Sequence, residues 1–195
     1  MDPSARDGPS SDATAAAAAV PGTEFLSGAV THIRPGAVGE RMNGTDEDAV
    51  FLEDVTVGET ISCGSVTVTE EEITDFAERF DPLAIHTDPS AAAESRYDGL
   101  IASGYHTLSL SVRLLVETVR KERAVIAGLG IDDVRWREPV RPGDTLSVTT
   151  TITDARASES DPGTGVIDES IVVTNQDGVE VLTLENHELL ERRSP

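Results

Sequence analysis

The stretch from Gly104 to about Arg120 limits what this chain can fold into more than any other. It carries Leu108, Leu110, Val112, Leu114, Leu115, Val116 and Val119, which at 3.6 residues per turn spread over more than one narrow stripe. A helix apolar on most sides has to be wrapped by something. Ser103 stands at the N-cap position, and Arg120, Lys121 and Arg123 suit the negative end of the helix dipole. The chain after the helix supplies the wrapping. Residues 124–129, 133–136, 145–153, 169–174 and 179–190 read as strands. In the third of these, Leu146, Val148, Thr150 and Ile152 alternate with Ser147, Thr149, Thr151 and Thr153. Pro142-Gly143 and Asn175-Gln176-Asp177-Gly178 carry turn chemistry, and residues 157–165 read as a polar loop. The expected class is α+β, with an antiparallel sheet wrapped around one long central helix.

Ahead of that helix, residues 61–69 read as a strand. Thr69 and Glu72 form a capping-box pattern that opens a short helix with Ile73, Phe76, Ala77 and Phe80 at helical spacing. It runs out at Asp81-Pro82. Thr87 or Asp88, followed by Pro89, fits the start of another short helix. Residues 1–47 are rich in Ala, Gly, Ser, Pro and Asp and too poor in large apolar side chains to offset ordering entropy. They are expected to be disordered, with one folded domain over residues 48–195. Met42 offers a second start point for the chain.

The formal charge of −21 comes from 15 basic and 36 acidic residues, and Lys121 is the only lysine. A duplex-binding or anionic-membrane-binding protein needs a basic face, so neither partner is expected. Acidity with so little lysine resembles the proteins of a salt-loaded cytoplasm, where the Debye length is about 3 Å at 1 M salt and self-repulsion is tolerable. Cys63 is the sole cysteine, which rules out an internal disulfide or a multi-cysteine zinc site. It reads as a small core residue in a strand. No apolar run approaches the roughly 20 residues of a membrane span, and a cytoplasmic location is expected.

Asp81 and His86 stand five residues apart across Pro82, a spacing that cannot share one face of a regular helix. They can converge only from a helix end and the loop after it, a way of aiming two polar groups at one water. The plainer reading is that Asp81 ends a helix and His86 satisfies a loop carbonyl. His106 stands two residues past Gly104 and more simply packs or faces solvent. His32 and His187 read as incidental, and Trp136 as packing against the sheet.

The segments Asp81-x4-His86-Thr87-Asp88-Pro89, Gly99-Leu100-Ile101-Ala102-Ser103-Gly104 and Val140-Arg141-Pro142-Gly143-Asp144 resemble, in that order, the MaoC-like dehydratase family, relatives of the (R)-specific enoyl-CoA hydratases. The resemblance covers roughly residues 51–192. It implies the hot-dog fold and a homodimer or higher homo-oligomer built by edge-to-edge sheet pairing. It implies Asp81 and His86 as the catalytic acid-base pair and the Gly104 N–H as donor to the thioester carbonyl, with Ser103 beside it as a second substrate-binding residue of the oxyanion site. Many family hydratases have Asn-Pro where this chain has Leu83-Ala84, which bears on substrate identity.

The chemistry agrees. Hydration of an enoyl thioester needs a base for water, a proton for Cα and a donor for the enolate oxygen. Asp81 is a weak base alone and needs burial or His86. Free N–H groups at the helix start suit the oxyanion. Coenzyme A would enter as part of the substrate, with no metal or redox cofactor implied. Arg135, Arg137 and Arg141 are candidates for its phosphates, with Arg113 on the central helix. The equal alternative is pairing with Asp132, Asp133 or Glu138. Two rival functions stay open: a hot-dog thioesterase, which often carries a carboxylate on the central helix, where only Glu117 is available, and a non-catalytic acyl-thioester-binding subunit.

Overall fold

Five antiparallel strands form one sheet in the order β1-β3-β4-β5-β2. The computed structural model describes residues 49–193; the expected N-terminal segment, including His32 and Met42, lies outside them. The strands are β1 (Thr60–Thr67), β2 (Val125–Trp136), β3 (Thr145–Ala157), β4 (Thr164–Thr174) and β5 (Glu180–Glu191). The sheet wraps a central helix, α4 (Gly104–Leu115), which continues as a π-helical turn (Val116–Arg120). Three short helices, α1 (Glu70–Phe80), α2 (Ala84–Thr87) and α3 (Pro89–Ala93), lie between β1 and α4. This is the hot-dog arrangement.

Three local expectations needed correction. Residues 124–129 and 133–136 are one strand, because register shifts between Gly128 and Gly130 and between Asp132 and Arg135 absorb the polar interruption as bulges. Asp133 sits in one of them at φ 49°. The polar loop shrinks to residues 158–163, since β3 and β4 keep pairing past a bulge at Ile152/Asp154 as far as Ala157↔Gly165. The central helix is open on one side: Leu110, Leu114, Leu115 and Val119 pack against Leu146, Val148, Ile171, Val173, Leu182 and Leu184, while Tyr105, Ser109, Arg113 and Val116 remain exposed.

The caps formed as their sequences demand. Thr69 Oγ1 accepts the Glu72 N–H at 3.2 Å and Glu72 Oε2 accepts the Thr69 N–H at 3.0 Å. Asp88 caps α3 through the N–H groups of Ser90 and Ala91. Beyond the far end of α4 lies a buried charge cluster. Arg123 Nη1 meets Glu169 Oε1 at 2.7 Å, Arg120 pairs with Glu188, and Asn186 Nδ2 donates to Glu169 Oε2 at 3.0 Å. Burial pushes the Glu188 carboxyl up, against the pull of Arg120.

His187 is not incidental. On the other face of the sheet its Nδ1 lies 2.6 Å from Asp168 Oδ1 and its Nε2 3.2 Å from Asp132 Oδ2. Arg156 Nη1 reaches the same Asp168 and also Asp154. A ring with a carboxylate at each nitrogen favours the imidazolium. The Asp168 hydrogen bond, with help from Asp132, raises its pKa above the ordinary histidine value. The folded protein therefore holds this proton more tightly than the unfolded chain, where histidine titrates at about 6.5. The clip's stabilisation is complete below that pH and fades as pH rises through the folded-state value. His187→Gln should lower the unfolding midpoint most at pH 6 and progressively less towards pH 9. Thermal melts across that range check this, and a gap that does not change with pH would contradict it.

Candidate active site

Helix α1 ends at Asp81, whose N–H still donates to the Ala77 carbonyl at 2.9 Å while its backbone leaves the helical region at φ −154°, ψ 67°. Pro82 enforces that exit. The chain then makes the single turn of α2 rather than the open loop expected, and this carries the buried His86 back towards Asp81. His86 Nδ1 lies 2.8 Å from the Ile101 carbonyl oxygen. A carbonyl only accepts, so Nδ1 holds a proton and donates it. In the neutral ring this leaves Nε2 as a lone pair. That nitrogen is 3.6 Å from Asp81 Oδ2, too far for a hydrogen bond but within reach of one shared water. The plainer reading of His86 holds: it satisfies the Ile101 carbonyl, and that bond sets the tautomer.

The segment before α4 is pinned by backbone bonds from Ile101 N to the Ile85 carbonyl and from Ala102 N to the Val140 carbonyl. Ser103 caps the helix: its Oγ accepts the Tyr105 N–H at 3.2 Å and donates to Asp81 Oδ2 at 2.7 Å. Ser103 is fully buried. The N–H groups of His106 and Thr107 turn back to the Ser103 carbonyl, and the Gly104 N–H has no hydrogen-bond partner among the described residues.

Trp136, at the end of β2, leans on this turn instead of packing against the sheet. Its Nε1 donates to the Gly104 carbonyl at 2.9 Å, its ring meets Tyr105 edge-on at 5.8 Å, and it is 49% exposed. A Cβ on Gly104 would lie 2.5 Å from Trp136 Nε1, so glycine is required here by the indole. Asp81, His86, Gly104, Tyr105, Trp136 and Arg137 share one open cleft of about 430 Å³.

The arginine candidates separate. Arg137 lines the cleft, with Nη2 on Thr183 Oγ1 at 3.1 Å. Arg135 pairs with Asp133 at 3.1 Å, and Arg141 donates to the Tyr97 carbonyl at 2.6 Å; neither lines the cleft. Arg113 pairs with Glu117. His106 faces away and stacks on Phe76 at 4.8 Å; burial holds its pKa below the usual histidine value. Cys63 is a buried core residue in β1. Among the described residues no group of three or more His, Cys, Asp or Glu side chains is placed to hold a metal ion, and no helix is long and apolar enough to cross a membrane. Sequence reasoning missed Trp136: its contact bridges 32 positions, and no local pattern announces it.

The MaoC like domain family matches residues 48–174. The uncharacterized protein YdeM of Bacillus subtilis is 30% identical over 141 residues, 72% of this chain and 99% of that protein. A MaoC-like dehydratase from Rhodospirillum rubrum superposes with a TM-score of 0.68 at 33% identity, covering 75% of this chain and all of that one. An (R)-hydratase from A. caviae involved in PHA biosynthesis shares the fold, with a TM-score of 0.57 at 23% identity over 72% of this chain and 99% of that one.

Gly104→Ala should displace the indole, break its bond to the Gly104 carbonyl and cost about 1–3 kcal/mol of stability. Denaturant unfolding of Gly104→Ala alone and with Trp136→Leu checks this. The alanine should cost far less once the indole is gone, and an equal cost in both backgrounds would mean that the methyl clashes elsewhere.

Proposed function

The chain belongs to the MaoC-like domain family, and from that premise we propose that it is a hydratase/dehydratase acting on a 2-enoyl-CoA thioester. The observation that carries this reading is the 3.6 Å gap between His86 Nε2 and Asp81 Oδ2, with Nδ1 tied to the Ile101 carbonyl. Two acceptors aimed at one water leave its oxygen lone pair free to attack. As that oxygen bonds to Cβ, the pair takes one proton from the water and returns one proton to Cα. The enolate charge that develops on the thioester oxygen is met by the Gly104 N–H at the positive end of α4. Water addition involves no electron carrier, so coenzyme A enters only as part of the substrate.

Within this reading Arg137 is the phosphate contact, because it is the arginine of the three that lines the cleft. The protein acts as a homodimer. Ile126, Leu129 and Ile131 are exposed on β2, which ends the strand order. An apolar edge strand calls for cover, and a second copy pairing there would supply it. The thioesterase alternative is less well served: Glu117 is exposed, paired with Arg113 at 3.3 Å, and lies in the π turn, at the opposite end of the helix from Gly104.

The test follows loss of enoyl-thioester absorbance in concentrated KCl, with straight-chain, branched and dicarboxylic 2-enoyl-CoA esters. Asp81→Asn should lower kcat by about 10²–10⁴-fold. Thiol release without hydration would point to a thioesterase, and binding without turnover to a carrier subunit. Arg137→Ala should raise KM roughly tenfold with kcat nearly kept, as expected on losing a charge-assisted contact. An unchanged KM would remove Arg137 from the phosphate site.

A further inference from the structure

We propose that Ser103 is a positioning residue: its hydroxyl fixes the Asp81 carboxylate relative to the Gly104 N–H, so that base and oxyanion donor keep one spacing. The proposal rests on the hydratase reading for its catalytic consequence but on geometry for its substance. The direction of the hydrogen bond is settled by chemistry. Tyr105 N–H can only donate, so at 3.2 Å Ser103 Oγ accepts there. An ionised carboxylate can only accept, so the hydroxyl proton lies on the 2.7 Å line to Asp81 Oδ2. Ser103 has no solvent exposure, and it does not line the cleft. A substrate contact through its side chain is therefore replaced by a role one step back.

Asp81 needs such a tether. Its side chain is 23% exposed, and His86 Nε2 at 3.6 Å is too far to hold it. Among the described residues, Ser103 makes the one side-chain hydrogen bond that Asp81 receives. The link spans 22 positions and joins the end of α1 to the start of α4. The same serine places the backbone turn that presents the Gly104 N–H. One side chain thus sets both halves of the site, and misplacement of reacting groups by about 1 Å costs roughly 100-fold in rate. The gain from Ser103 is orientation.

Ser103→Ala also removes the cap, so Ser103→Gly is the cleaner variant, because glycine serves nearly as well at an N-cap. In it kcat should fall about 10–100-fold with little change in KM. Ser103→Thr, which keeps the hydroxyl, should restore most of the rate. In the Asp81→Asn background Ser103→Gly should cost no further rate. A wild-type kcat in Ser103→Gly, or equal loss in both backgrounds, overturns the proposal. A double-mutant cycle of unfolding on the same four proteins gives a readout independent of turnover. Non-additive effects on stability support the tether and additive ones overturn it. Should the wild type hydrate no enoyl thioester, the hydratase reading fails while this cycle still decides the role of Ser103.

Discussion

A helix leaves N–H groups at one end and carbonyls at the other without intrahelical partners, and the rest of this structure follows from how α4 settles them. Its first turn has N–H groups with no intrahelical partner. Ser103 takes one of them through its hydroxyl and two through its carbonyl, and the one left over, at Gly104, opens into the cleft. The candidate oxyanion donor is thus the residue of ordinary capping. The far end is settled by charge. Arg120 and Arg123 enter a buried cluster with Glu169 and Glu188, which anchors the chain after the π turn to β4 and β5. Buried pairs of this kind add little net stability, but breaking one leaves its partner's charge stranded. The cluster therefore fixes where α4 ends, and through the helix where Gly104 begins.

The site is assembled from element ends: the C-cap of α1, the single turn of α2, the first turn of α4 and the exit of β2. None of these is a long loop, so each group inherits the rigidity of its element. Strand β2 contributes only because it is irregular. Its bulges re-aim the strand and bring Trp136 onto Gly104 and Arg137 to the cleft wall. The bulge at Asp132 and Asp133 is also where His187 clips β2 to β4 across β5. A polar cluster on the other face of the sheet thus lies four residues from the indole that covers the site.

What was legible in the sequence was local. The Thr69/Glu72 box, Asp88 before Pro89, Ser103 before Gly104 and the proline after Asp81 each act within four residues, and each formed as its chemistry requires. Alternation gave the strands and the apolar spread gave the central helix. The illegible features are contacts between distant positions: Trp136 on Gly104, Ser103 on Asp81, His187 between two carboxylates. One signal was available and unused. Glu169 sits between Ile167 and Ile171, and Glu188 between Asn186 and Leu190, at inward-facing positions of alternating strands. A carboxylate at a core position requires a partner, and the arginines at the end of α4 were the ones at hand.

The charge of the whole chain sets the conditions for the proposed substrate. A net charge of −21 repels a phosphate-bearing thioester at long range, whatever the cleft offers. In dilute buffer that field acts over tens of ångströms, whereas at 1 M salt it decays within about 3 Å. The phosphate contact proposed for Arg137 would be a charge-assisted hydrogen bond at close quarters, weakened much less than the field. Salt therefore removes more of what opposes binding than of what favours it. High salt would thus ease the conflict between a net charge of −21 and an arginine offered to a phosphate.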